Sequence, residues 1–335
     1  MDAHRLIVIG ASSGGIDAVR TIAQHLPADF AAAICVVIHI PPESPSILAE
    51  IIDRAGPLAS TTAYDGVRLQ AGHIYLPPPD HHLVVEPDRL RVTKGPRENR
   101  FRPAIDPLFR SAAQVFGPAA VGVVLSGNLD DGSAGLWAIQ RLGGATIVQD
   151  PVNAPYPSMP YNALMTLTPD HCVPLVRIPS LLVALVSAPV DAREEVPVPD
   201  HVRIEVNIAK GDHPLDAGLQ EIGLPSAYAC PECHGVLLQL EHETRIRFRC
   251  HTGHAYSVES LLAAIRTKTD DSLWNTIRSI EEGGRLIQHM LGHLTTAADP
   301  TDAARLTAAV EQMRKQADAL RVIAAHVEPT FVHED

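Results

Sequence analysis

Short runs of apolar residues separated by amphipathic stretches dominate the first half of the chain. Leu6 to Ile9, Ala31 to Ile38 and Ala119 to Val124 are too hydrophobic for strands with one face in water, so they predict fully buried strands. The amphipathic stretches between them predict helices that cover the two faces of a sheet. The alternation therefore predicts an α/β fold over residues 1–186, with a Rossmann-like, doubly wound and mostly parallel sheet.

The pattern changes after this region. Residues 187–201 are rich in proline and acidic residues and predict a linker, and residues 202–256 contain a group of cysteines and histidines. Residues 257–330 predict a coiled-coil-like α-helical hairpin with a turn at Asp299-Pro300. Its two apolar seams have alternating spacings of four and three: Leu273, Ile277, Ile280, Gly284, Ile287, Leu291, Leu294; and Leu306, Val310, Met313, Ala317, Leu320, Ala324, Val327. We expect the seams to pack on each other, although self-association through them is an alternative.

Charge and cysteine content narrow the possible partners and compartments. The net charge is -12 and no run of Lys or Arg is present, which argues against a nucleic-acid partner or an anionic membrane surface. No apolar run is long enough to predict membrane insertion. Three of the five cysteines lie between Cys230 and Cys250, which is not the pattern of a secreted disulfide framework. We expect a cytoplasmic protein.

A glycine-rich turn follows the first predicted strand. Residues 10–14, Gly-Ala-Ser-Ser-Gly, match the G-x-S-x-G pattern, in which a sharp strand-to-helix turn exposes the hydroxyl of the central serine, here Ser12. Two other interpretations are open: a dinucleotide-binding turn, and a plain turn in which Ser12 caps the helix. The dinucleotide pattern requires a glycine at Ser12 and an acidic residue after the second strand, where this chain has His39.

Candidate partners for Ser12 follow two other predicted strands. His39 ends the second strand, and Asp130 and Asp131 follow the third. Because the carboxyl ends of parallel strands lie on one rim of a sheet, we expect these side chains to be close together. Serine, histidine and aspartate are the residue types that ester or amide hydrolysis uses. The pattern itself does not choose between the two aspartates, and Asp106 is a weaker alternative that suits a helix start better.

The cysteines and histidines have the spacing of a metal site. Cys230-x2-Cys233 and Cys250-x3-His254 provide three thiolates and one imidazole, which predicts a structural zinc in a small zinc-ribbon-like module. His251 is an alternative to His254 as the fourth ligand, and a redox-active Cys-x-x-Cys pair is an alternative to metal binding. We expect no cofactor for catalysis.

Several segments together resemble a known family. They are IGASSGGIDAV, VVIHIPP, NRFRPAIDPLFRSAA and VGVVLSGNLDDGSAGLWAIQRLGG, and they occur in the order typical of the catalytic domain of CheB protein-glutamate methylesterases of bacterial chemotaxis. The resemblance covers about residues 4–186. It implies a hydrolase that converts glutamyl γ-methyl esters on methylated, helical chemoreceptors to glutamate and methanol, and that also deamidates glutamine.

The resemblance also assigns roles to residues. By motif position the nucleophile is Ser12, the base is His39 and the orienting acid is Asp131, while the backbone N–H groups of Ser13 and Asn128 form the oxyanion hole. Two alternatives remain: a catalytically silent signalling or scaffold protein of the same fold, and a serine esterase for another ester. A serine-reactive probe separates the scaffold from both enzymes.

The chain departs from the family pattern in three places. The usual member has a phosphate-accepting receiver domain before the catalytic domain, whereas here the catalytic strand begins at about Leu6. The turn at Asn128-Leu129-Asp130 is bulkier than usual, and Ile38 stands where glutamine precedes the base. We therefore expect regulation that does not use phosphorylation in cis, with the Cys/His module and the hairpin as the regulatory or docking part.

Overall fold

Parallel strands joined by helices form the first half of the chain. The computed structural model of the protein describes residues 4–190, 196–242, 245–293 and 300–326. The strands are β1 Leu6–Ala11, β2 Ala33–Ile38, β3 Ala59–Thr62, β4 His73–Leu76, β5 His82–Val85, β6 Leu90–Thr93, β7 Ala120–Val124, β8 Ala145–Gln149, β9 His171–Val173, β10 Gly223–Ala229, β11 Val236–His242, β12 Arg245–Cys250 and β13 Ala255–Ser257. The α-helices are α1 Gly15–His25, α2 Leu48–Asp53, α3 Ile105–Phe116, α4 Ser133–Arg141, α5 Ser158–Thr166, α6 Ile178–Ser187, α7 Asp200–Lys210, α8 Val258–Gly292 and α9 Pro300–Ala325.

The main sheet has the strand order β3-β4-β2-β1-β7-β8-β9, and every neighbouring pair is parallel. All residues of β1, β2 and β7 are buried, because helices cover both faces of the sheet. The chain adds β2 on one side of β1 and later adds β7 on the other, so the strand order reverses at β1. Such a reversal opens a crevice at the carboxyl ends of the strands. The predicted α/β fold with a large parallel sheet is confirmed.

The Cys/His segment forms a second, antiparallel sheet in the order β10-β11-β12-β13. This sheet belongs to the same compact unit as the main sheet, Met1–Leu261, and the remaining residues, Leu262–Asp335, form another unit. The division differs from the predicted domains, which separate residues 1–186 from 202–256. The reason is burial: Val202 and Val206 of α7 share a hydrophobic cluster with strands of the main sheet, and charged side chains pair beneath the second sheet.

The predicted linker, residues 187–201, overlaps helix α7 at its carboxyl end. Residues 191–195 of the predicted linker lie outside the described part of the chain. Residues 196–199 have no regular secondary structure, but α7 begins at Asp200, so the last two residues of the predicted linker are helical. The Thr93 hydroxyl donates a 2.7 Å hydrogen bond to the carbonyl of Ala209 in α7, which further attaches this helix to the first half of the chain.

In the unit from Leu262 onward, α8 and α9 pack against each other along the predicted seams. Ile277 and Ala317 are buried between them, and Leu273, Ile280 and Leu320 pack around these two residues. Arg321 pairs with Glu281, and the Met313 side chain lies next to Gly283, so the helices are antiparallel. The seam residues Leu294 and Val327, Asp299 of the predicted turn and residues 327–330 of the predicted hairpin lie outside the described residues. No helix in the described ranges combines the length and apolarity that crossing a bilayer requires.

Candidate active site

Ser12 lies in the sharp turn between β1 and α1. Its backbone N–H donates a 3.0 Å hydrogen bond to the carbonyl of Ser126, and its own carbonyl accepts one of 2.8 Å from Gly15 N–H. Gly14 has φ of 73°, the left-handed region that side chains other than glycine avoid. The turn therefore depends on a glycine at this position, and the loop after β7 holds it in place.

That loop also lies directly against the serine. A Cβ atom on Gly127 would lie 2.7 Å from Ser12 Cβ and 2.1 Å from Met159 Sδ, so no side chain fits there. Asn128 Nδ2 donates a 3.1 Å hydrogen bond to Ser13 Oγ, which brings the two turns together. Within the described residues, the backbone N–H groups of Ser13 and Asn128 donate no hydrogen bond. Both are free to bind a ligand oxygen.

His39 is at the position next to Ser12 on the neighbouring strand. Ala11 and Ile38 are register partners in the parallel pair β1 and β2, and Ser12 and His39 directly follow them. The backbone N–H of His39 donates a 3.2 Å hydrogen bond to the Ala11 carbonyl. The structure thus brings Ser12 and His39 to adjacent strand ends.

The two ring nitrogens of His39 have different surroundings. Nε2 is 2.7 Å from Asp131 Oδ2, and both side chains are almost fully buried. Nδ1 is buried and has no hydrogen-bond partner among the described residues. The Phe101 ring stacks on the imidazole with centroids 3.6 Å apart and planes 8° from parallel, which fixes the ring orientation. Of the two ring nitrogens, Nε2 is therefore bound by Asp131 and Nδ1 is unpartnered within the described residues.

Asp131 is held as an ionised carboxylate. Oδ2 also accepts a 2.7 Å hydrogen bond from Ile105 N–H at the start of α3, while Oδ1 accepts from Asn99 Nδ2 at 2.9 Å and from Gly132 N–H at 3.0 Å. Burial by itself raises the pKa of Asp131, but the hydrogen bonds from His39, Ile105 and Asn99 outweigh it and lower the pKa. Because an ionised carboxylate only accepts hydrogen bonds, the proton of this pair is on His39 Nε2.

Asp130 has different neighbours. Its carboxylate accepts a 2.7 Å hydrogen bond from Ser257 Oγ, in β13 of the second sheet. Burial and the nearby Glu259 carboxylate raise the pKa of Asp130 to about 8, so this group is mostly protonated at neutral pH. Of the two candidate aspartates, Asp131 contacts the imidazole of His39.

Sequence reasoning missed two residues around this site. Asn99 and Phe101 lie in a loop between β6 and α3, within the segment NRFRPAIDPLFRSAA that carries part of the family resemblance, but neither was predicted as a partner of Asp131 or His39. That segment is the signal that points to them, and Asn99 has φ of 49°, a conformation that asparagine tolerates better than most residues. Their contacts depend on the chain returning to the sheet.

The four predicted metal ligands come together at one end of the second sheet. The ligand atoms of Cys230, Cys233, Cys250 and His254 all lie within 4.8 Å of one another. The sulfur atoms of Cys233 and Cys250 are 3.5 Å apart, and those of Cys230 and Cys250 are each 3.6 Å from His254 Nδ1. A tetrahedral ion with Zn–S bonds of about 2.3 Å separates two sulfurs by roughly 3.8 Å, so the donor set and spacing fit a metal.

Two further side chains bear on this cluster. Glu232 Oε2 is 3.3 Å from His254 Nε2, the arrangement in which a carboxylate orients a metal-binding histidine. Thr252 Oγ1 lies within 3.1 Å of Cys233 Sγ, Cys250 Sγ and His254 Nδ1, so an ion requires this hydroxyl to rotate away. The alternative ligand His251 is exposed and is not part of the cluster.

Comparison with known proteins agrees with this architecture. A family model described as CheB methylesterase matches residues 7–182, slightly more than half of the chain. The chain belongs to the CheB methylesterase family. The matched region runs from the second residue of β1 through β9 and includes Ser12, His39 and Asp131, while the Cys/His sheet and the helical hairpin lie beyond it.

Individual relatives in the CheB family support the match. A protein-glutamate methylesterase/protein-glutamine glutaminase of Xanthomonas campestris is 40% identical over 185 residues, which are 54% of this chain and 51% of that protein. A putative enzyme of the same name from Leptospira interrogans is 35% identical, covering 54% of this chain and 95% of its own. The crystal structure of the Thermotoga maritima CheB methylesterase catalytic domain aligns with a TM-score of 0.53 and 30% identity, covering 54% of this chain and 98% of that one. The chain spans about half the length of the curated relatives it matches first.

Proposed function

We propose that this CheB-family protein is a protein-glutamate methylesterase that hydrolyses glutamyl γ-methyl esters on chemoreceptors or similar helical signalling proteins. The observation that carries the proposal is the state of His39: Asp131 binds Nε2 at 2.7 Å, and Nδ1 is unpartnered at the strand end next to Ser12. This is the arrangement that a general base for a serine nucleophile requires. The names of the relatives supply the substrate class.

In the first half of the reaction, Ser12 Oγ attacks the γ-carbonyl carbon of the substrate and His39 Nδ1 accepts the hydroxyl proton. The resulting imidazolium is stabilised by Asp131, which already accepts a hydrogen bond from Nε2. The tetrahedral intermediate then breaks its bond to the methoxy oxygen, and the proton on Nδ1 goes to this oxygen. Methanol leaves and a glutamyl ester of Ser12 remains.

Water then reverses these roles. His39 Nδ1 takes a proton from water, the hydroxide oxygen attacks the acyl carbon, and the proton returns to Ser12 Oγ as glutamate leaves. In both halves the negative oxygen of the intermediate is bound by the N–H groups of Ser13 and Asn128, which have no other acceptor within the described residues. One such donor contributes about 2.7 to 4 kcal/mol to transition-state stabilisation.

The same site accounts for a second leaving group. Glutamine has an amide at the position of the methyl ester, so attack by Ser12 on its γ-carbonyl releases ammonia instead of methanol. The names of the relatives contain both activities, methylesterase and glutaminase. We therefore include glutamine deamidation in the proposal.

The proposal also covers the rest of the molecule. The cluster holds a structural zinc in a zinc-ribbon-like module, because its donor atoms and their spacing fit a tetrahedral ion. Its ligands are Cys230, Cys233, Cys250 and His254. Nucleophilic and acid–base chemistry by Ser12, His39 and Asp131 requires no cofactor, and catalysis without one stays a prediction. We place the protein in the cytoplasm, in a chemotaxis-like pathway, and self-association through α8 and α9 stays a prediction.

Methanol release from a methylated chemoreceptor cytoplasmic fragment tests the function. We expect the wild type to release methanol without a phosphodonor, and Ser12→Ala to reduce the rate at least about 10³-fold. Ser180→Ala, at an exposed serine on α6, is the matched control and leaves the rate unchanged. A wild type that reacts with a fluorophosphonate at Ser12 but releases no methanol is an esterase for another ester. A wild type that does neither is a silent scaffold.

A further inference from the structure

Asn99 joins the candidate catalytic aspartate to the second sheet. Its Nδ2 donates hydrogen bonds to Asp131 Oδ1 at 2.9 Å and to Asp106 Oδ2 at 3.1 Å. Its Oδ1 accepts from Ser257 N–H at 3.0 Å and from Ser260 Oγ at 3.1 Å. The side chain is buried and all its hydrogen-bonding positions are used, two toward the active site and two toward β13 and the start of α8.

The backbone around Asn99 is also bound to the second sheet. Asn99 N–H donates a 2.8 Å hydrogen bond to the Ala255 carbonyl, and Ala255 N–H donates one of 3.1 Å to the Arg97 carbonyl. Residues 97–99 therefore run beside β13 as an additional short paired segment. A cavity of about 60 Å³, lined in part by Asn99, Asp130 and Ser257, lies next to this contact.

Residues 97–99 are also bound to the turn that contains Cys250 and His254, two residues of the Cys/His cluster. Arg249 Nη2 donates 2.8 Å hydrogen bonds to Glu98 Oε1 and Glu205 Oε1, and its Nη1 donates one of 2.8 Å to the Gly253 carbonyl. Arg249 immediately precedes Cys250, and Glu98 immediately precedes Asn99. Within the turn, Cys250 N–H donates a 3.0 Å hydrogen bond to the His254 carbonyl. Residues 250–254 thus rest on residues 96–99.

From these contacts we infer that metal binding by the Cys/His cluster positions Asp131, and through it His39, by way of Asn99. An ion ligated by Cys250 and His254 adds metal bonds to the turn that holds Glu98 and Asn99, whereas the metal-free turn is held by hydrogen bonds alone, within itself and to Arg249 and residues 97–99. Asn99 is a positioning residue in this scheme, because it touches Asp131 and not the substrate. The expected effect of metal binding on catalysis rests on the proposed function. The expected effect of metal binding on the His39–Asp131 hydrogen bond does not.

The expected effect is partial. Without Asn99, Asp131 still accepts hydrogen bonds from Ile105 N–H and Gly132 N–H, so its carboxylate stays near His39 with a less certain orientation. A small misplacement of a catalytic group costs about 10- to 100-fold in rate. Metal removal and Asn99→Ala should therefore both reduce the reactivity of Ser12 by about that factor.

The experiment uses the full chain with two readouts besides ester hydrolysis. One is the rate at which a fluorophosphonate labels Ser12, and the other is the downfield proton resonance of the His39 Nε2–H bound to Asp131. Both are measured with Zn²⁺ bound, after removal of metal by a chelator, and after Zn²⁺ is added back, with bound metal determined by elemental analysis. Unfolding curves establish that the main sheet stays folded in each state.

Cys230→Ser removes a cluster ligand, and Cys172→Ser is its matched control, because Cys172 is an exposed thiol of the first half of the chain. Asn99→Ala removes the connection without touching the cluster, and Asn207→Ala, on α7, is its control. Asn99→Ala keeps the inference testable if Cys230→Ser fails to fold. We expect Cys230→Ser and Asn99→Ala to weaken the resonance and slow labelling, and both controls to behave as wild type.

A chain that binds no Zn²⁺, or whose resonance and labelling rate are the same with and without metal, overturns the inference. So does an Asn99→Ala variant with wild-type resonance and labelling. Failure of the proposed function has a different signature: the resonance still responds to metal and to Asn99→Ala, but no methanol is released from a methylated receptor. The two failures are therefore distinguishable.

Discussion

Arg249 donates a 2.8 Å hydrogen bond to Glu98, and both side chains are buried where the second sheet meets the first half of the chain. Arg110 and Arg247 extend this contact, since Arg110 pairs with Glu98 and Arg247 pairs with Glu205 at 2.7 Å. Burial raises the pKa of both glutamates, but the three arginines more than reverse this and lower it. The ion pairs make the second sheet a fixed part of the first unit.

Removing one member of this buried network of ion pairs should lower the free energy of unfolding. Arg249→Met leaves part of the charge of Glu98 and Glu205 without a partner, and we expect a loss of about 3 kcal/mol in the free energy of unfolding. The measurement is urea denaturation of the metal-loaded protein. Arg203→Met is the control, because Arg203 pairs with Asp200 on the surface of α7, where such pairs contribute less than about 1 kcal/mol. Equal losses in the two variants would contradict the expectation.

The two adjacent aspartates should behave differently. Asp131→Asn replaces the acceptor of His39 Nε2–H with a group that can present a donor, so the imidazole loses its fixed tautomer. We expect kcat for ester hydrolysis to fall by about 10³- to 10⁴-fold. Asp130→Asn, whose side chain contacts Ser257, should cost far less. The opposite ranking of the two variants in steady-state kinetics would show that the orienting acid has been misassigned.

Asp130 should make stability depend on pH. Its pKa is raised to about 8 in the folded protein and is about 3.9 in an unfolded chain, so the folded state holds more protons between these values. The contribution of Asp130 to the free energy of unfolding is therefore greatest in acid and falls as the pH rises from about 4 to 8, by at most about 1.4 kcal/mol per pH unit. Asp130→Asn mimics the protonated form and should remove this contribution.

The check is the difference in unfolding free energy between Asp130→Asn and wild type at pH 5 and at pH 8.5. We expect the variant to gain stability relative to wild type as the pH rises. A difference that stays constant across this range would mean that Asp130 is ionised in the folded protein. Asp106, whose pKa burial and the Asp131 charge raise to about 6, contributes with the same sign, and because its charge also raises the pKa of Asp130 the measured difference includes the interaction between the two groups.

Gly127 should be required for the geometry of the nucleophile turn. The Cβ of Gly127→Ala would lie 2.7 Å from Ser12 Cβ and 2.1 Å from Met159 Sδ, so both Ser12 and Met159 have to move. Overpacking of this kind costs about 1 to 3 kcal/mol in stability, and displacement of Ser12 should lower the fluorophosphonate labelling rate by about 10- to 100-fold. Gly292→Ala, where nothing lies within 4 Å of the added carbon, is the control. Wild-type labelling by the Gly127 variant would argue against this close approach.

Local pattern was sufficient for several features of this protein. Four features are properties of short segments and can be read without knowing the rest of the fold. They are the apolar run of β1, the glycines around Ser12, the position of His39 after β2 and the spacing of Cys230 and Cys233. Parallel strands place their ends on one rim whatever the loops do, which is why residues from β1, β2 and β7 could be grouped before the structure was known.

The tertiary structure decided the features that depend on distant segments. Asn99 meets Ser257 and Ser260, and Glu98 meets Arg249, across more than 150 positions of sequence, and no local spacing encodes these contacts. The predicted linker, residues 187–201, lies where hydrophobic periodicity stops, but α7 begins inside it at Asp200 and buries Val202 and Val206. The sequence determines which side chains each segment can bury or bind. The tertiary structure decides which distant segment supplies the partner, because a buried charged or polar side chain is stable only when a partner from another segment contacts it.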